Sequence, residues 1–158
     1  MIQARRKTDF TAYIETEAKR IDTTVASTQI RHLLKFTNDL DGAVFYAYAT
    51  TETIYDRYTK LEFTYGVADV YTGNLKLIPA GYFKYTAYEI SWIGTVALTA
   101  ATAPATDTDH LPVKDDNGVI QGVVAIGKLY LAEFGLNEEV QYTEYEQPAS
   151  TNTIYYGQ

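Results

Sequence analysis

The sequence predicts an all-β protein: an antiparallel β-sandwich of jelly-roll or immunoglobulin-like type, with a C-terminal β-hairpin extension. Three observations carry this. Runs of period-two alternation recur about every ten residues with turn residues between them, the pattern of a sandwich or barrel. The aromatic fraction is 14%, with 15 tyrosines against one tryptophan and one methionine, a bias toward side chains that pair across strands. The longest alternating run, Gly81 to Trp92, carries large rings on both faces, so it reads as a central strand covered on each side.

Taken in order, Phe10 to Glu15 alternates as a first short strand, and Glu15 to Arg20 suits a helical turn. Ile30 to Thr37 is a second strand with Ile30, His32, Leu34 and Phe36 on one face. Asn38 to Gly42 is a hairpin signal, closing in the Gly that a left-handed turn position needs. Ala43 to Ala49 returns as a third strand. Thr50 to Thr53 reads as a connection and Tyr55 to Tyr58 as a single turn. Leu61 to Tyr65 is a fourth strand, and Leu75 to Ile78 a short one before Pro79-Ala80-Gly81 launches the central run.

Composition changes after Val96. Ala97 to Asp109 is small and polar, which reads as an exposed linker. Beyond it come apolar stretches at Val119–Ile126, Lys128–Glu133, Val140–Tyr145 and Thr153–Tyr156, the first two forming a hairpin. The expected organisation is a sandwich core over 1–98, a linker over 99–112 and a β-extension over 113–158. So short an extension has too little of its own core to fold alone, and must pack on the sandwich or on a neighbouring subunit.

The formal charge of −7 and pI near 4.7 disfavour a general nucleic-acid binder, which uses a basic stripe to release counterions. The one basic cluster, Arg5-Arg6-Lys7, reads as a solvated N-terminal arm. Cysteine is absent, which excludes disulfides and thiolate metal sites. No signal-peptide core and no apolar run of membrane-spanning length is visible, so the expectation is a product made and left in a cytoplasm, with no membrane partner.

The densest polar group, Asp107-Thr-Asp-His110, lacks the spacing of a calcium loop and reads as ordinary loop chemistry. His32 alternates with Leu34 and Phe36, as a core or interface histidine does. Glu138, Glu139, Glu144 and Glu146 read as exposed-strand charges, and Gly118, Gly122 and Gly127 show neither dinucleotide nor P-loop spacing. No catalytic, cofactor-binding or metal-binding residue is assigned, and no enzyme activity or cofactor is expected.

Several stretches carry a resemblance: Leu34 to Leu40, Tyr55-x-x-Tyr58 running into Leu61-Glu-Phe63, Gly81 to Tyr85 through Tyr88-Glu89, and, toward the C-terminus, Gly127-Lys-Leu129, Tyr142-Thr-Glu144 and Ile154 to Tyr156. Together they resemble a small β-rich structural protein type of tailed bacteriophages, notably marine and gut Bacteroidetes phages of crAss-like type. The resemblance brings no active-site residues. It implies a virion component made in the host bacterial cytoplasm, with copies of itself and other virion proteins (major capsid, portal, neck or tail) as partners. Two placements follow: a capsid-decorating or auxiliary head protein, or a neck or tail ring subunit. The expected contact residues are Tyr82, Tyr85, Tyr88 and Trp92 of the central strand, with Ile154, Tyr155 and Tyr156 of the tail reaching a neighbour. The alternative is a carbohydrate-binding, receptor-binding sandwich in which exposed Tyr and Trp92 stack on sugar rings.

Overall fold

A computed structural model of the protein describes residues 1–135. Along them run strands β1 (Ile2–Arg5), β2 (Phe10–Ile14), β3 (Ile30–Asn38), β4 (Val44–Tyr48), β5 (Thr51–Ile54), β6 (Thr59–Tyr65), β7 (Asn74–Leu75), β8 (Gly81–Ser91) and β9 (Val119–Ala132), with 3-10 turns at Glu17–Lys19 and Ser27–Gln29. The larger sheet has the order β1-β9-β8-β3-β4, and the smaller has β2-β6-β5 with β7 also on β6. The pairings β1–β9 and β6–β7 are parallel and the others antiparallel, so the sandwich is mixed rather than purely antiparallel.

The alternation places the core. Leu34 and Phe36 of β3, Phe83, Tyr85 and Ala87 of β8, and Leu129 and Leu131 of β9 face Ala12, Ile14, Leu61 and Phe63 of the smaller sheet. Phe63 stacks on Phe10 with ring centres 5.0 Å apart and meets the edge of Phe36 at 5.8 Å. Each Leu, Ile or Phe moved from water into this layer contributes about 1.5–3 kcal/mol. The β3–β4 hairpin turns at Gly42, whose φ of 73° is the left-handed conformation the sequence anticipates there.

The central run is central in the sheet. β8 lies between β3 and β9, and its end, Glu89 to Ser91, with Trp92 just beyond, is buried on both faces. The reason is a second apolar layer outside the larger sheet, where Leu33, Tyr48, Ile90 and Trp92 pack with Ala103, Val96 and Leu98. Residues 93–118 therefore cover the sheet, and the 99–112 linker expected to be exposed is a packed layer. Small residues let it lie close. Trp92 Nε1 donates to the Thr102 carbonyl at 3.2 Å, Tyr48 Oη to the Pro104 carbonyl at 2.7 Å, and the Gly118 N–H to the Thr102 carbonyl at 2.7 Å.

Other expectations need correction. The N-terminus is no solvated arm: Ile2 and Ala4 are buried, and β1 pairs in parallel with Leu129–Ala132. Arg6 pairs with Glu133, and Lys7 lies over the Phe134 ring at 5.4 Å. Thr51–Ile54 is a strand, not a connection, because it antiparallel-pairs with Thr59–Glu62. The extended stretch after Gly73 stops at Leu75. Val119–Glu133 is no hairpin but a single strand of 14 residues, so the sheet runs across the expected 98/113 boundary. Gly127 lies within this strand: a Cβ there would stand 2.5 Å from Tyr85 Oη, so the glycine admits the tyrosine ring. The strands expected at Val140–Tyr145 and Thr153–Tyr156, and the contact residues Ile154, Tyr155 and Tyr156, lie outside the described residues.

Candidate interaction surfaces

His32, Glu89 and Asp107 hold layers of the fold together. His32 projects from β3 toward the smaller sheet, where Glu52 of β5 meets it: Nδ1 and Oε1 are 2.6 Å apart, and the His32 backbone N–H donates to Oε2 at 3.1 Å. With a carboxylate facing it, Nδ1 carries the proton. Glu89, paired with His32 across β3 and β8, is likewise buried and accepts the backbone N–H groups of Ile21 and Asp22 at 3.0 and 2.7 Å. His32 is thus a core histidine, as its alternation with Leu34 and Phe36 suggests.

Asp107 holds the outer layer. One carboxylate oxygen accepts from Lys35 Nζ at 2.8 Å and Tyr88 Oη at 2.9 Å, and the other from Tyr46 Oη at 2.7 Å. Three neighbouring strands are thereby bound to one loop residue, and the Lys35 ammonium, with Tyr46, holds the carboxyl down to about 2. Asp109 accepts the Ala105 N–H at 3.1 Å, while His110 is exposed. The Asp107–His110 group is loop chemistry, but Asp107 has a bracing role that an isolated Asp in a Thr- and Pro-rich stretch does not announce. Among the described residues no three His, Asp or Glu side chains converge as a metal ion requires.

The expected contact residues separate in the structure. Tyr82 is exposed and leans on Tyr130 with ring centres 5.0 Å apart. Tyr88 is half-buried with its hydroxyl on Asp107. Tyr85 and Trp92 are core side chains, and neither is free to meet another subunit or a sugar. Alternation explains the split only in part, since the outer face of β8 is open at Tyr82 and covered from Tyr88 onward.

Two surfaces stand out instead. On the smaller sheet, Tyr13 of β2 and Tyr55 and Tyr58 of the β5–β6 turn form an exposed cluster, Tyr58 lying 5.6 Å from Tyr13 and 4.9 Å from Tyr55. The pair Tyr55-x-x-Tyr58 was its only sequence signal. Beside it, Met1, Ile2, Gln3, Thr11, Tyr13 and Tyr85 line a cleft of about 260 Å³. On the larger sheet, β1 covers only the last four residues of β9, so from Val119 to Lys128 the strand has a neighbour on one side alone among the described residues. Val119, Val123 and Ile126 are exposed along it.

No protein-family model, curated protein or solved structure matches the chain.

Proposed function

We propose that the protein is a non-enzymatic structural component of a bacteriophage virion. It assembles symmetrically, as a capsid-decorating or auxiliary head protein or as a ring subunit of the neck or tail. The resemblance supplies the setting. The observation that supports assembly is the edge of β9, which from Val119 to Lys128 has no second strand neighbour among the described residues and carries exposed Val119, Val123 and Ile126. Proteins that remain alone guard such an edge with charge, proline or a covering loop. Its buried carboxylates and histidine link layers of the fold, a pattern suited to a rigid building block.

Particles purified from a phage that encodes this chain provide the test. Stoichiometric peptides in the particle, with density at symmetry-related positions, are the expected result. Their absence from intact particles overturns the reading.

The Tyr13–Tyr55–Tyr58 cluster favours a second reading, a carbohydrate-binding module, because exposed rings at one end of a sandwich suit stacking on sugar faces. Retention on immobilised host polysaccharide that Tyr58→Ala abolishes would support it. No retention on any cell-surface glycan removes it.

A further inference from the structure

We infer that the edge of β9, which has no second strand neighbour among the described residues, is a two-fold seam on which a second copy of this chain pairs antiparallel, joining the two larger sheets into one. This deepens the assembly reading above and rests on it.

The first ground is the side chains. β9 pairs Ile120 with Ile90, Val123 with Tyr88 and Ile126 with Thr86, the outward positions of β8. Residues three apart on a regular strand would fall on opposite faces. Two register shifts in the β8–β9 pairing each admit an extra residue, at Gln121 and Val124, and so bring all three to one face. The result is an apolar row beside the free edge, with Val123 at 44% and Ile126 at 61% exposure.

The second ground is charge. Val119 to Gly127 reads Val-Ile-Gln-Gly-Val-Val-Ala-Ile-Gly, without one ionisable side chain, in a chain of formal charge −7. Two such acidic bodies approach each other most easily at a neutral surface, and between Val119 and Gly127 the edge lacks the lysine or glutamate that usually blocks strand addition, Lys128 standing at its end in an ion pair with Asp39.

The third ground is self-complementarity. A two-fold axis at Val123 sets Val123 against Val123 of the second copy and Ile120 against Ile126 of the second copy. Like thus meets like on the same face, as an isologous contact requires. Nine residues so paired make a seam about 30 Å long.

Because the chain has no cysteine, single-cysteine variants of the full chain report the register directly. Directly opposed residues of an antiparallel pair have Cα atoms about 4.5–5.5 Å apart, within disulfide reach. Val123→Cys is expected to form a disulfide-linked dimer under mild oxidation. Ile126→Cys alone should not, whereas an equimolar mixture of Ile120→Cys and Ile126→Cys should. Light scattering of the unmodified chain should show a concentration-dependent dimer that Val123→Lys weakens about tenfold or more, by setting like charges opposite. Val123→Thr, which keeps strand propensity and neutrality, should leave it intact.

Association with Val123→Cys uncrosslinked and Val123→Lys without effect overturns this seam while leaving assembly by another surface standing. A chain monomeric at all concentrations overturns the seam, and its absence from purified particles would remove the assembly reading as well. Amides of Val119–Gly127 protected from hydrogen exchange to the same degree at every concentration mean that the edge is covered within one chain, by residues 136–158 or otherwise, and also overturn the seam.

Discussion

His32 of β3 and Glu52 of β5 bind the two sheets to each other, Nδ1 and Oε1 standing 2.6 Å apart with side-chain exposures of 1% and 3%. The contact is buried, and the carboxylate also takes the His32 backbone N–H at 3.1 Å. Glu52→Ala strips both donors of their acceptor, and each buried group left unmet costs about 1–3 kcal/mol. Urea unfolding should show a loss at the upper end of that range or beyond. The double variant His32→Leu, Glu52→Leu should recover much of it, since apolar replacement of a whole buried pair is often neutral. A single variant as stable as the parent would remove the bracing role.

Asp107 should make the outer layer acid-sensitive. Its carboxyl is held at about 2 against an ordinary 3.8, mainly by Lys35 and Tyr46. A carboxyl whose folded value is depressed contributes stability above the unfolded value and loses it as pH falls through the folded one. The contribution should therefore fade between about pH 4 and 2. Asp107→Asn should flatten that part of the stability profile. It should also raise protease cleavage within residues 93–118, a readout that a residue outside the clamp would leave unchanged.

At the other end of the scale the tyrosines decide. Burial pushes the phenols of Tyr48, Tyr46, Tyr71, Tyr85 and Tyr88 upward, Tyr48 furthest. Groups with raised folded values stabilise fully below the unfolded value near 10 and lose that contribution as pH rises beyond it. The tyrosinate absorbance of these five should thus appear together with unfolding in one cooperative alkaline step. Tyr48→Phe should move that step to higher pH, while costing about 1 kcal/mol at neutral pH through the unmet Pro104 carbonyl. Ionisation of these five phenols ahead of unfolding would contradict the placement.

Much of this architecture is legible in the sequence where a strand is long and one face is apolar. β3, β6 and β8 show their alternation plainly, and Asn38 to Gly42 announces its turn. β1 and β5 escape because four residues hold barely two inward positions, and in β5 one of those is Glu52, whose partner His32 is distant in sequence. β9 is misread because Gly127 answers a ring above it rather than a turn. The cover over residues 93–118 leaves no periodic trace, since it docks through backbone carbonyls of Thr102 and Pro104 and the single carboxylate of Asp107. The surface patches are harder still: the row Ile120, Val123, Ile126 exists only because two bulges offset its spacing.

Gly118, at the junction of the outer cover and β9, gives the sharpest steric test of that layer. A Cβ there would stand 2.6 Å from the Trp92 ring and 2.8 Å from Ile90 Cγ2, closer than unstrained carbon contacts allow. Trp92 is fully buried and its indole N–H is held by Thr102, so the ring has little room to retreat. Overpacking of this kind costs about 1–3 kcal/mol. Gly118→Ala should lower the urea midpoint accordingly and alter tryptophan fluorescence, for which Trp92 is the one reporter in the chain. Gly135→Ala supplies the contrast: no atom lies within 4 Å of its added Cβ, but its φ of 79° disfavours a side chain, so it should cost backbone strain without disturbing the fluorescence. If Gly118→Ala unfolds like the parent with Trp92 emission unchanged, residues 93–118 do not clamp the indole and the second core is not the rigid layer described here.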